Sequence, residues 1–285
     1  MTKRNHNRVP QAAIQEPGPQ IVVAVPMERT IAAECALSIF AVVRQGWHFF
    51  GRGYGRTDIH RNEFARMLLH STFTHICMLD SDHVHPPDVV QRLARHVIAD
   101  RRRLVVGGLN FRRTPPYDPC AFLEGADGRM YTLVDLPPTL MEVSVIGHGA
   151  ILISREVFEQ IPPPWWQYEY DYAGASDPKA DWKPPSEDMF FCKLLRAHGI
   201  KMWCDNTLTS PHKGDLWIGP EAYQAFLRAH PEVIEQVRMR GHVKEEEHRV
   251  EIPGEGVAAG DSGPRPDGRG SDEVRSEAAE GVGAL

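Results

Sequence analysis

Apolar runs of strand length alternate with amphipathic stretches through the first hundred residues. Ile21-Val22-Val23-Ala24-Val25 is a β-branched run stopped by Pro26, the pattern of a strand buried on both faces. Thr30 to Gln45 reads as a helix ended by Gly46. Gly51-Arg52-Gly53-Tyr54-Gly55-Arg56 has neither P-loop nor dinucleotide-fingerprint spacing, and reads as a flexible loop. Thr57 is placed as an N-cap, with Asp58 in the first turn of a helix running to about Ser71. His75 to Leu79 is the next strand, and it ends abruptly in Asp80-Ser81-Asp82. Pro86-Pro87 opens a helix with Val90, Leu93, Ala94, Val97 and Ile98 on one face. Leu104 to Gly108 is a further strand. This order of strands and helices predicts an α/β fold built on a Rossmann-like parallel sheet.

The second half is patterned differently. Phe122 to Val134 predicts a hairpin around Asp127-Gly128. Met141 to Ile146 and Ala150 to Ile153 read as strands, and Ser154 caps a short helix to about Gln160. Pro162 to Tyr172 is rich in proline and aromatics and reads as a functional loop. Ser186 starts a helix with Phe190, Phe191, Leu194 and Leu195 on its apolar face and Gly199 at its end. Ile200 to Cys204 is a strand, Ser210 to Gly214 a loop, and Pro220 to about Arg240 a last helix.

Composition changes this picture mainly at the ends. Residues 243–285 hold eleven acids against five bases, a net of −6 that equals the formal charge of the whole chain. That acidic, Gly-rich tail and residues 1–19 read as disordered, leaving 20–242 as one near-neutral domain. It divides into a nucleotide-binding half (20–110) and an acceptor half (111–242). No apolar stretch is long enough to span a bilayer, and no apolar signal core follows the basic start, so the expected location is cytoplasmic. The five cysteines are scattered without a CxxC pair, which argues against a disulfide framework or a zinc site. Cys77, Cys192 and Cys204 lie in apolar runs and read as core.

The chemistry-bearing residues follow the strands. Ligands of open α/β sheets bind at the carboxyl ends of strands, where Asp80 and Asp82 fall. Two close carboxylates repel, and Mg²⁺ or Mn²⁺ relieves that repulsion; the acids can also simply cap the following helix. A cation there can clamp a diphosphate as a leaving group. His83 and His85 can add ligands or belong to a plain loop. Glu187 and Asp188 either complement a helix dipole or supply a fixed general base. His212 is a surface residue unless its loop folds over Asp82. Gly147-His148-Gly149 permits close approach of backbone to a ligand, or marks a β-bulge. Trp165 and Trp166 are either a sugar-stacking platform or packing beneath a loop. Arg101-Arg102-Arg103 and Arg112-Arg113 are small basic clusters, solvated or in contact with phosphate.

Taken together and in order, these segments resemble the GT-A glycosyltransferases, especially the family-2-like enzymes. The resemblance runs from about Ile21 to Gly214. It rests on the strand ending at Pro26, the helix carrying Arg61-Asn62, the Asp80-Ser81-Asp82-His83 strand end, Gly147-His148-Gly149-Ala150 with Ser154 to Phe158, Ser186-Glu187-Asp188, and the late His212. It implies a GT-A fold: a mostly parallel sheet flanked by helices that binds a nucleotide-diphosphate sugar. It implies that Asp82 and His212 hold Mn²⁺ or Mg²⁺, with Asp80 on the ribose or on the metal through water. Pro26, Glu28 and Arg61 fall near the base and ribose, and Ser81 with Gly147, His148 and Gly149 around the donor. Trp165 and Trp166 fall on the acceptor loop. Asp188 is implied as the base, with Glu187 second.

The expected activity is inverting transfer of one sugar from a UDP- or GDP-sugar to an acceptor hydroxyl. The QxxRW motif of processive synthases is missing, which favours single-sugar transfer. A late histidine also occurs in retaining enzymes, so the stereochemistry stays open. The acceptor is open too: a saccharide, a lipid carrier, a protein, a small metabolite or a modified nucleic acid base. Two other readings remain. A nucleotidyltransferase would need a Gly-rich, basic loop after the first strand, which this chain lacks. A non-catalytic nucleotide-sugar-binding module would not need a base beside a metal site.

Overall fold

The computed structural model describes residues 18–169, 186–214 and 217–239. Nearly all of both expected tails, and the aromatic stretch from Tyr170 to Tyr172, lie outside these residues. In chain order the elements are β1 (Ile21–Pro26), α1 (Ala33–Val43), β2 (His48–Arg52), α2 (Thr57–Leu69), β3 (His75–Leu79), α3 (Val89–Ala99) and β4 (Val105–Leu109). There follow β5 (Ala121–Glu124), β6 (Met130–Thr132), β7 (Leu140–Val143), β8 (Val145–Ile146), β9 (Ala150–Ser154), α4 (Arg155–Gln160) and α5 (Glu187–Ala197). The last are β10 (Met202–Thr209), β11 (His212–Lys213), β12 (Trp217–Ile218), α6 (Pro220–Ala229) and α7 (Ile234–Met239).

A seven-stranded sheet runs β2-β1-β3-β9-β4-β10-β7. β1, β2, β3, β4 and β10 run one way, and β9 and β7 run against them. The sheet is therefore mixed and mostly parallel, with helices on both faces. Side chains alternate along each strand, and two cores result. Ile21, Val23 and Val25 pack with Ile39 and Val42 of α1 and Val90, Leu93 and Val97 of α3. Val22 and Ala24 face the other way, toward Phe64 and Leu68 of α2, Val157 of α4 and Phe191 and Leu195 of α5. The hairpin around Asp127-Gly128 forms as β5 and β6, in antiparallel register. All five cysteines are free, and Cys77, Cys192 and Cys204 are buried.

Several local expectations are corrected. β2 occupies part of the segment read as a flexible loop; its polar and glycine positions hide it, because among the described residues it is an exposed edge strand paired with β1 alone. Thr57 is the first residue of α2 rather than its cap. Ile98 is 61% exposed, off the buried face of α3. The last helix breaks at Pro231 into α6, a 3-10 turn and α7, because proline has no N–H for an interior turn. His212-Lys213, read as loop, pairs with β12. Among the described residues no helix is long and apolar enough to cross a membrane.

Candidate functional site

β1, β3, β4 and β10 point their carboxyl ends to one edge of the sheet, and antiparallel β9 starts there. That edge collects most of the expected residues, in two adjoining groups. The first is centred on Asp82. Its Oδ1 lies 2.8 Å from His83 Nδ1, and its Oδ2 lies 3.0 Å from His212 Nε2. The loop of His212 does fold back over Asp82: Lys213 N donates to the Asp82 carbonyl at 2.8 Å, and Val84 N to that of Pro211 at 3.0 Å. Burial alone would raise the Asp82 carboxyl. The hydrogen bonds from His212 and His83, with their charge, hold it well below the usual carboxylate range.

These donors fit a divalent cation. His212 Nδ1 lies 2.8 Å from the Phe111 carbonyl, which can only accept, so Nδ1 carries the hydrogen. Nε2 faces Asp82 Oδ2 at 3.0 Å: with a proton it donates to the carboxylate, and without one it offers a lone pair to a cation bound beside both atoms. A backbone carbonyl fixing the far ring nitrogen is the usual support of a metal-binding histidine. Asp82, His83 and His212 each offer an atom within 4.8 Å of the others. The His83 and His212 rings are stacked, however, with centroids 4.1 Å and planes 16° apart. One ion cannot lie in both ring planes unless a ring turns. Asp82 and His212 are the better aimed pair, with His83 bracing the carboxylate.

The second group surrounds Arg61, whose side chain is only 1% exposed. Nη2 donates to Asp80 Oδ1 at 2.8 Å; Nη1 donates to Glu187 Oε1 at 3.0 Å and also to Asp188 Oδ1. His148 Nδ1 lies 2.9 Å from Asp188 Oδ1, and its backbone N–H donates to Oδ2 at 3.1 Å. Burial would raise the Asp188 carboxyl, but the charges of Arg61 and His148 hold it well below the usual range. Glu187 goes the other way, raised by burial and by the Asp188 charge against the pull of Arg61. Burial alone would lower His148; Asp188 outweighs it and pushes the imidazole up to about 9. Trp166 Nε1 also points at His148 Nδ1, at 3.1 Å, and needs a lone pair where Asp188 needs a proton. The carboxylate is the stronger partner, because a charged acceptor in a buried site outweighs a neutral donor.

Four residues take different places from those expected. Asp80 is engaged by Arg61 and stands outside the metal-capable set. Arg61 is buried among carboxylates, so its guanidinium faces protein rather than a base or ribose. Trp165 and Trp166 are 2% and 1% exposed and offer no face to a sugar. Trp166 stacks on Phe191 at 4.4 Å, and Trp165 meets Phe158 edge-on at 5.3 Å. Asn62 pins that turn, accepting from Trp165 N at 2.9 Å and donating to the Trp166 carbonyl at 2.6 Å.

The remaining residues sit as follows. Ser81 is buried and accepts from Glu28 N at 3.1 Å, joining the ends of β1 and β3 beside Pro26. Gly147 to Gly149 does serve close approach, but to protein. A Cβ on Gly149 would lie 2.6 Å from Asn110 Oδ1 and 2.8 Å from His83 Nε2, and one on Gly147 2.8 Å from Cys120 Cβ. Asn110 Nδ2 donates to the Gly147 carbonyl at 3.0 Å. His85, pushed down to about 3 chiefly by burial, bonds Ser210 and the Asp80 carbonyl and braces the loop. Tyr168, from the aromatic stretch, interacts with Glu187, and burial pushes its phenol up to about 12. Arg113, from the Arg112-Arg113 cluster, lies 3.6 Å from Asp82 Oδ2; Asn110 and the Phe111 carbonyl join the site without having been expected there. The one signal of Asn110 and Phe111 in the sequence is position just after the Val105–Leu109 strand.

No protein-family profile and no curated protein matches the sequence. Among solved structures, A197 from STIV is similar with a TM-score of 0.48 and 16% identity, over 68% of this chain and 85% of that one. A CMP:2-keto-3-deoxy-manno-octonic acid synthetase solved with CTP is similar with a TM-score of 0.38 and 11% identity, over 75% of this chain and 99% of that one. Likenesses this loose leave function to the site itself.

Proposed function

We propose that this protein is a metal-dependent glycosyltransferase that moves one sugar from a UDP- or GDP-sugar to an acceptor hydroxyl. The observation that carries the reading is the pairing of Asp82 Oδ2 with His212 Nε2 at 3.0 Å, at the strand ends where nucleotides bind. Asp82 and His212 would hold Mn²⁺ or Mg²⁺, which when bound offsets the charge that builds on a departing diphosphate. Ser81 and the Glu28 backbone fix the loop between the ends of β1 and β3. Asp188 is the proposed base, with Glu187 second. As it stands Asp188 is a weak base, pinned by Arg61 and His148, and an acceptor hydroxyl must take over one of those contacts before it can lose its proton to Asp188. Arg61 would keep Asp80, Glu187 and Asp188 in fixed register, so the donor and acceptor sides of the site move together.

The same pinned carboxylate favours a second reading, nucleotidyl transfer. There the nucleophile is already an anion, and no base is needed at Asp188.

Thermal stability with UDP, GDP, CDP, ADP and NTPs, each with and without Mn²⁺, tests both, because a bound ligand raises the melting temperature by mass action. A Mn²⁺-dependent rise with one nucleoside diphosphate, lost in Asp82→Ala, supports glycosyl transfer and names the donor class. A rise with NTPs alone supports nucleotidyl transfer. No rise with any of them removes the metal reading. In Asp188→Asn, donor binding should survive while transfer collapses; unchanged transfer takes Asp188 out of the mechanism.

A further inference from the structure

Arg113 stands in the loop after β4, its side chain 54% exposed, with Nη1 3.6 Å from Asp82 Oδ2. This is the same carboxylate oxygen that faces His212 Nε2 at 3.0 Å. A divalent ion held by Asp82 and His212 and the Arg113 guanidinium compete for that oxygen, since two cations at such range repel. We propose that Arg113 couples cation binding to diphosphate binding: it competes with a bare cation for Asp82 and, once displaced, pairs with the diphosphate that arrives with the cation. This rests on the metal reading above and adds a residue and a sign to it.

The chemistry favours that exchange. A half-exposed ion pair at 3.6 Å is weak and is released at little cost. A guanidinium matches the geometry of a phosphate through paired N–H donors, and the displaced side chain stays within reach of anything bound to the cation. Arg113 is free to swing: its loop position and exposure set it apart from Arg61, which is locked among three carboxylates. Arg112, its neighbour, is held 3.3 Å from the buried Asp118 and is not placed for the same exchange. Because coupling is reciprocal, the arrangement lets cation and diphosphate each strengthen binding of the other while disfavouring either alone.

The test is isothermal titration of the full chain with MnCl₂ alone, and with inorganic pyrophosphate in the presence of Mn²⁺, for wild type, Arg113→Ala and Arg102→Ala. Arg102 is exposed and, among the described residues, pairs with Asp100, so its variant should match wild type in both titrations. Arg113→Ala should bind bare Mn²⁺ up to about fivefold more tightly, the loss of an exposed competing ion pair. It should bind pyrophosphate roughly tenfold more weakly, the loss of a charge-assisted contact. Opposite signs for the two ligands are what a merely structural arginine cannot produce. Affinities that both fall, or that both stay unchanged, overturn the inference while leaving the metal site in place. A wild-type chain that binds Mn²⁺ in neither titration overturns the metal reading and this inference with it. Should Arg113→Ala not fold, Arg113→Lys takes its place, with the same pair of signs at smaller amplitude.

Discussion

Arg61 Nη2 lies 2.8 Å from Asp80 Oδ1, and this contact ties helix α2 to the end of β3. The same guanidinium reaches Glu187 at 3.0 Å and also Asp188. One cation thus holds together two segments more than a hundred residues apart in the chain.

Removing that cation leaves three carboxylates close together in a largely buried site. Arg61→Ala should destabilise the fold by about 3–5 kcal/mol, the cost of breaking a buried charged cluster on one side. Arg61→Lys should recover only part of this, because one ammonium cannot serve the same fork of acceptors. Urea unfolding of the two variants measures both values. A loss below about 1 kcal/mol for Arg61→Ala would show that the cluster is screened by water.

Asp188 and His148 make stability depend on pH. The His148 imidazole is pushed up to about 9 against an ordinary value of 6.5, burial opposing and the Asp188 charge prevailing. A folded pKa above the unfolded one gives a contribution complete below pH 6.5 and lost as the pH rises through about 9. The shift corresponds to roughly 3 kcal/mol. In Asp188→Asn the supporting charge is gone and burial alone remains, so this alkaline decline should vanish. Unfolding free energies at pH 6 and pH 10 decide it; equal slopes in wild type and variant would take the pair out of the account.

Gly149 is the point where backbone packing supports the Asp82 group. A Cβ there would meet Asn110 and His83 at 2.6–2.8 Å, so one of them must move. Gly149→Ala should cost about 1–3 kcal/mol, as overpacking does, and should weaken the Mn²⁺ response by displacing the ring that braces Asp82. Gly53→Ala, where an added Cβ meets nothing within 4 Å, should change neither. Calorimetric melting with and without Mn²⁺ reads both effects; a Gly149→Ala protein with an intact Mn²⁺ response would place His83 outside the metal site.

What the sequence by itself determined is the set of local choices that need only neighbours along the chain. Runs such as Ile21–Val25 and His75–Leu79 can hide their backbone only in a sheet, so strands and the acids at their ends were legible. So were the Ser154 cap and the Asp127-Gly128 hairpin, each fixed by a few adjacent residues. The exposed edge strand β2 was not legible, because its pairing with β1 leaves no apolar alternation. The reversed direction of β9 was not legible either: a buried strand is apolar on both faces whichever way it runs. Tertiary structure alone decided which charges meet. It buried Arg61 among Asp80, Glu187 and Asp188, turned Trp165 and Trp166 into core, and brought His212 and Arg113 to Asp82 from distant loops. Side-chain partners across such separations are set by how the layers pack, and no local pattern of residues encodes that.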